Sequence, residues 1–335
     1  VKTQDDLVKA ILDQFANFTY DEKYKAFTEK FNYLDDAHAA RRVIEKTIKT
    51  DLGPAFRFYK WVIHTKNVIR KSFRDGYIAF SGMLRCMGLC RTANSKLLYS
   101  YKNKHKGQRC FLVGNGPSMR LSDLEGLQKN GEITFGCNLV TKAFEQTTWR
   151  PDYYFLIDRI CAKFQSEEIN KAIGEIPLFT NITTYNIFRE KPKNPVILYN
   201  IAKDKYKVKR SPLAYYIPSG STVMSLMIEM AVYMGFSEIY LIGCDCTSTF
   251  TGNTHFINGY TDDKLKQRDA KKIVDRMRRL GIQSDDYEKY FLDGSLNAYT
   301  LLKEHAIKHH VKIFNATRGG ALEVFDRVNL DDFVK

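Results

Sequence analysis

Apolar positions along the chain keep two different periods, and the change falls near residue 107. Upstream they recur every three or four residues, through Leu7, Ile11, Leu12 and Phe15, then Tyr24, Phe27, Phe31 and Leu34, then Ala39, Val43, Ile44 and Ile48. That spacing predicts helices with one buried face. Asp51-Leu52-Gly53-Pro54 interrupts the pattern and restarts it. From Ala55 to about Tyr101 aromatic and basic residues interleave: Phe56, Phe58, Tyr59, Trp61, Phe73, Tyr77 and Phe80 stand among Arg57, Lys60, Lys66, Arg70, Lys71 and Arg74.

Downstream of the polar connector Lys102–Arg109 the pattern becomes one of short, nearly continuous apolar runs. Cys110–Val113, Ile133–Asn138, Tyr153–Asp158, Ile176–Asn181, Val196–Tyr199, Glu238–Asp245 and Val311–Asn315 read as strands. Helices are predicted between them over Leu121–Lys129, Val223–Met234 and Tyr299–His309, with a charged and largely helical stretch over 262–292. Strands apolar on both sides, alternating with helices, predict a parallel sheet covered on both faces. The expected architecture is therefore α/β, a Rossmann-like and mostly parallel sheet preceded by an N-terminal helical region. The corresponding domains are 1–107, helical and basic, and 108–335, nucleotide-binding and catalytic.

Composition narrows the class. With 44% hydrophobic and 13% aromatic residues the chain can build a core, which excludes a disordered protein. No apolar run approaches the ~20 residues that span a bilayer, and the opening Val1–Asp6 carries no apolar leader. The seven cysteines lack framework or zinc-ligand spacing, which predicts reduced thiols in the cytoplasm and no metal site. The formal charge of +14 is concentrated. Residues 57–109 hold 13 Lys or Arg against Asp75 alone, a balance of +12. Such a segment suits a membrane surface or another polyanion, or simply a solvated helical face. No nucleic-acid-binding motif accompanies it, so nucleic acid is not an expected partner.

The chemistry is expected where the strands end. Asn115, Asn138, Asp158, Asp245 and Asn315 each stand at or just past an apolar run, and the strand ends of a parallel sheet converge on one edge. The first strand runs into Gly114-Asn115-Gly116-Pro117-Ser118. This is not a P-loop, because Gly-Lys-Ser/Thr is missing, and Met119 occupies the place of the third dinucleotide-fingerprint glycine. Its glycines still permit close approach of backbone to a ligand, with helix-start amides facing a phosphate. Ser219-Gly220-Ser221-Thr222 repeats the device before a second helix. Two such turns point to a nucleotide or diphosphate. Arg318, beyond the last strand, suits a carboxylate or phosphate, or a structural pairing with Asp326.

Several motifs in order carry a family resemblance: Phe111–Ser118, the strand ending at Asn138, Ser219-Gly220, Met234-Gly235-Phe236, Glu238–Asp245, and Asn315-Ala316-Thr317-Arg318-Gly319-Gly320-Ala321. Over about Gly107–Phe325 the chain resembles bacterial Cst-type sialyltransferases, Maf flagellin-glycosylation proteins and archaeal-type hydroxymethylpterin diphosphokinases. The closing segment looks most like the Maf branch. The resemblance implies that Asn115 and Asn138 contact the phosphate and sugar of a nucleotide. It implies that Ser219 and Gly220 hold the donor's carboxylate or phosphate, and that Asp245 contacts the ribose or base.

Sialyltransferases of this kind need no metal, and no Asp-x-Asp motif is present here. Their acceptor base is a His before a late helix, whereas the matching stretch here, Leu292-Asp293-Gly294-Ser295, has none. His255 is the candidate base, with substrate positioning or a structural role as its alternative, and Asp293 is the second candidate. The reading is a sialyltransferase-like glycosyltransferase without a cofactor, moving a sugar acid from a CMP-activated donor to a glycan or lipid-linked acceptor. It would work in the cytoplasm at the inner face of the membrane, held there through 57–109. The alternatives are a Mg²⁺-dependent diphosphokinase using ATP on a pterin-like alcohol, and a non-catalytic nucleotide-binding glycan-assembly protein.

Overall fold

Strand β1 (Arg109–Val113) shows why the second half of the chain folds as it does. Side chains alternate across a strand, so Cys110 and Leu112 enter one core cluster while Phe111 and Val113 enter another on the opposite face. Strand β8 (Glu238–Ile242) divides its residues the same way, Ile239 and Leu241 against Tyr240 and Ile242. All eight of these side chains are buried, which explains why both segments read as unbroken apolar runs.

A computed structural model describes residues 53–89, 92–199, 222–246 and 283–334, with shorter pieces at 202–204, 216–218, 255–256 and 273–278 and isolated positions elsewhere. The helices expected before residue 50, and Ser219, Gly220 and Ser221, lie outside the described residues. The chain forms two compact units, Val1–Arg74 and Asp75–Lys335. The change of period near residue 107 falls inside the second unit, at the start of β1.

The sheet has eight strands in the order β10-β9-β8-β1-β2-β3-β4-β5, every pairing parallel. The remaining members are β2 (Ile133–Cys137), β3 (Tyr153–Phe155), β4 (Leu178–Asn181), β5 (Pro195–Leu198), β9 (Lys312–Asn315) and β10 (Asp326–Arg327). A separate pair, β6 (Ala202–Asp204) and β7 (Tyr216–Pro218), was not foreseen from the sequence. Four strands, β2 to β5, run outward from β1 in chain order. The chain then returns to β8 on the other side of β1 and continues outward. The direction of winding therefore reverses between β1 and β8, the place where open parallel sheets bind ligands beyond their C-terminal ends.

Helices α1 (Gly53–Cys86) and α2 (Ala93–Tyr101) precede the sheet. Helix α3 (Leu121–Lys129) follows β1, α4 (Arg159–Phe164) and α5 (Ser166–Ile173) follow β3, and α6 (Ile182–Tyr185) follows β4. Helix α7 (Val223–Met234) is buried nearly all round and stops at Gly235, whose left-handed φ of 84° a side chain would resist. Among the described residues no helix is long and apolar enough to cross a membrane.

Two expectations are corrected. The last helix does not begin at Tyr299, since α8 runs unbroken over Ser284–Lys308 and takes Leu292–Ser295 into its middle. Gly294 is the only helix-weakening residue there, and one interior glycine costs about 1 kcal/mol, too little to end a helix packed along its length. The third strand stops at Phe155, so Asp158 belongs to the next helix. Its carboxylate oxygen Oδ1 accepts from the Ile160 and Cys161 amides at 2.6 and 3.1 Å and caps α4.

Candidate active site

At the switch point the ends of β1 and β8 are locked backbone to backbone. The Gly114 amide donates to Ile242 at 2.7 Å and the Gly116 amide to Gly243 at 2.9 Å. A β-carbon on Gly114 would lie 2.3 Å from the Gly243 carbonyl oxygen, and one on Gly116 would lie 1.8 Å from Asp245 Oδ2. Gly243 itself has φ 63° with Met119 packed against it. These glycines are required because two strand-end turns and a carboxylate occupy one place. The Ser118 hydroxyl donates to Asp245 Oδ2 at 2.9 Å, closing the contact. Burial raises the Asp245 pKa above the ordinary carboxylate value, and the Ser118 hydrogen bond opposes that rise.

Asn115 ties this pair to β2. Its side-chain amide donates to the Cys137 carbonyl at 3.1 Å, and its own carbonyl accepts from the Phe256 amide at 3.2 Å. His255, the neighbour of Phe256, is thereby held beside the turn. It is half-buried, and burial pushes its pKa down to about 4, so its imidazole is neutral at neutral pH and a weaker base than a solvated His.

Asn138 follows β2 with a left-handed φ of 50°, a conformation Asn tolerates better than most residues. The Tyr154 hydroxyl donates to its carbonyl. Its side-chain oxygen is buried and takes no hydrogen bond among the described residues. Leaving such an acceptor unsatisfied costs roughly 1–3 kcal/mol, which a ligand hydroxyl or amino group would relieve.

Asn315 and Arg318 already have partners within the protein. Asn315 is fully buried: its amide donates to the Leu322 carbonyl at 2.6 Å and its oxygen accepts from the Thr317 amide at 3.0 Å. It latches the 315–322 loop, whose Ala321 amide in turn donates to the Asp245 carbonyl at 2.7 Å. Arg318 pairs with Asp123 of α3 and with Asp331, not with Asp326. Asp123 also accepts from the Arg120 amide at 3.1 Å, so the α3 N-terminus already carries a carboxylate. Helix α3 begins at Leu121, three residues past Ser118, so the Gly114–Ser118 turn lies before the helix start. Asp293 is exposed on α8, on a different face from the buried Tyr299. The structure groups His255 with the turn and does not so group Asp293.

Two contributors went unrecognised in the sequence. Thr317 accepts from the Cys244 amide at 3.0 Å and so fixes the turn leading into Asp245. Tyr299 reaches from α8 to hydrogen-bond the Thr222 side chain at the start of α7, and burial holds its phenol well above the usual range. Tyr299 stands in no strand-end motif, and Thr317 lies within the Asn315–Ala321 segment with no role assigned to it by the sequence. The thiols nearby are inert, since burial pushes Cys137 up to about 12 and raises Cys244 strongly. Among the described residues no three His, Cys, Asp or Glu side chains are gathered as a metal ion would need.

Comparison with known proteins finds distant solved structures and one family model. Among solved structures, the Maf glycosyltransferase of Magnetospirillum magneticum AMB-1 is similar at 15% identity and a TM-score of 0.44, over 69% of this chain and 35% of that one. The chain thus spans about a third of that protein's length. The sialyltransferase CstII of Campylobacter jejuni, solved with cytidine-5'-monophosphate, is similar at 14% identity and a TM-score of 0.39, over 67% of this chain and 86% of that one. A mammalian sialyltransferase is similar at 14% identity with a TM-score of 0.28, over 72% and 86%. No curated protein sequence matches the chain. The family model described as 6-hydroxymethylpterin diphosphokinase MptE-like matches residues 89–250, from the end of α1 past Asp245.

Proposed function

We propose that the protein is a metal-independent glycosyltransferase that moves a sugar acid, sialic-acid-like or another nonulosonate, from a CMP-activated donor to a glycan or lipid-linked acceptor. The observation that carries the proposal is the junction of the Gly114–Ser118 turn with Asp245 at the switch point, with His255 held beside it through Phe256. In this reading the turn's backbone lies along the donor phosphate, and the side-chain oxygen of Asn138 accepts from a hydroxyl or amino group of the nucleotide. Asp245 binds the ribose or base, while Ser219, Gly220 and Ser221 hold the sugar acid's carboxylate or the phosphate.

His255 removes the proton of the acceptor hydroxyl. The acceptor oxygen forms a bond to the anomeric carbon as the bond from that carbon to the phosphate oxygen breaks, and CMP departs with the electron pair. Neutral imidazole is the form this step needs, and burial keeps His255 in that form down to about pH 4 while weakening it as a base. Release of CMP from a CMP-linked sialic acid, followed in EDTA with and without a galactoside acceptor, tests the reading. Acceptor-dependent CMP release in EDTA supports it, and release seen only with Mg²⁺ counts against it.

The match to the MptE-like family over residues 89–250 favours a second reading, transfer of diphosphate from ATP to a pterin-like alcohol. There the Ser118–Asp245 pair would stand beside a Mg²⁺-bound phosphate chain. Asp158, whose Oδ1 caps α4, is the less suited of the two carboxylates to that role.

A further inference from the structure

We infer that helix α1 docks the protein on an anionic phospholipid bilayer, lying along its surface with an apolar stripe inserted between the headgroups. The helix spans 34 residues, about 51 Å at 1.5 Å per residue. It is long enough to cross a bilayer but too charged to do so. Ile69, Phe73, Tyr77, Phe80 and Met83 recur at spacings of three and four, so they share one face. These large apolar side chains are turned to solvent: Phe73 is 77% exposed, Tyr77 73% and Phe80 56%. Met87 and Leu89, just past the helix end, are exposed as well.

The opposite side of the helix end is the side that packs. Ser81 is half-buried, and Gly82 and Arg85 are buried. The Arg85 guanidinium lies 3.9 Å over the Tyr199 ring beyond β5, and the Tyr99 hydroxyl of α2 donates to the Arg85 carbonyl. The stripe is therefore not needed to hold the helix to its own sheet.

Charge decides what covers it. Over residues 53–89 the sequence carries seven Lys or Arg against Asp75 alone, and Lys66 and Arg70 are exposed beside the stripe. A second copy of so basic a helix would repel the first along its length. A soluble polyanion would satisfy the charges and leave the aromatics in water. An anionic bilayer accepts both, the bases at the headgroups and the aromatics in the acyl boundary. The inference is independent of which donor the active site uses.

The test is co-sedimentation of the full chain with phosphatidylcholine vesicles, and with vesicles that also contain phosphatidylglycerol, at low and high salt. Binding to the anionic vesicles, weakened by salt, is expected. Lys66→Gln and Arg70→Gln should each reduce it about fivefold. The triple variant Phe73→Ser/Tyr77→Ser/Phe80→Ser should reduce it more than about tenfold while keeping the wild-type melting temperature, since these side chains are exposed. Binding indifferent to lipid charge, or unchanged in the triple variant, overturns the inference. So does a concentration-dependent dimer that the triple variant dissolves in a protein that ignores both kinds of vesicle.

Discussion

The α-carbon of Gly116 and the carboxylate of Asp245 are so close that a single added methyl at 116 would lie 1.8 Å from Asp245 Oδ2. Two residues 129 positions apart thus form one surface, and neither can change without moving the other. Gly116→Ala should cost about 1–3 kcal/mol, the usual penalty of overpacking, through displacement of Asp245 and loss of the Ser118 hydrogen bond. The double variant Gly116→Ala/Asp245→Ala should recover part of that stability but not nucleotide binding. Melting temperatures of the three variants measure the coupling. Additive losses would mean the two residues are not in contact.

Asp245 should leave a signature in the pH dependence of stability. Its folded pKa is raised by burial, so the stability contributed by its protonated form is full below the unfolded carboxylate pKa and is lost as pH rises through the folded value. Ser118→Ala removes the hydrogen bond that opposes the rise and should move this loss to higher pH. Asp245→Asn should abolish it. Melting curves of the three proteins across the acidic range decide the matter, and parallel curves for wild type and Asp245→Asn would contradict it.

His255 titrates in the opposite sense. With its folded pKa at about 4, its contribution is present above the unfolded His value and is lost as pH falls through about 4. If it is the acceptor base, the acid limb of kcat/KM should also fall near 4 rather than near the ordinary His value. His255→Ala should lower kcat by roughly 10²–10⁴-fold. An alanine variant with full activity would return His255 to a structural role.

The Arg318 guanidinium already has two carboxylate partners. Asp123 is buried and Asp331 half-exposed, and the Arg318 guanidinium pairs with both. Arg318→Ala leaves Asp123 without that charge and should cost about 1–3 kcal/mol. Nucleotide affinity, measured well below the variant's melting temperature, should stay within about threefold, a change of less than 1 kcal/mol. A large loss of affinity with little loss of stability would instead make Arg318 a ligand contact.

What the sequence disclosed and what it hid have physical causes. Helices α3 and α7 were legible to the residue because apolar periodicity, a stop at Gly235 and short connections all agreed. The parallel sheet was legible because both faces of β1 and β8 are buried, which leaves no polar alternation. Asn115, Asn138, Asp158, Asp245 and Asn315 all stand at or just past apolar runs in the sequence, which cannot distinguish the helix cap at Asp158 and the loop latch at Asn315 from the Ser118 contact at Asp245. A cap or a loop latch needs the same short polar side chains as a ligand contact. The same pattern also passed over Tyr299, which reaches the site from the middle of a helix whose continuity through Gly294 no local pattern announced.

The central claim is that the Gly116–Asp245 junction binds a CMP-linked donor without metal, and thermal stabilisation tests it most directly. A ligand that binds only the folded state at ~100 times its Kd adds about 2.7 kcal/mol. Wild type should melt higher with CMP in EDTA, with the same shift when Mg²⁺ replaces EDTA, and Gly116→Ala should show no shift. Stabilisation by ATP alone, and only with Mg²⁺ present, would contradict the account and favour diphosphate transfer.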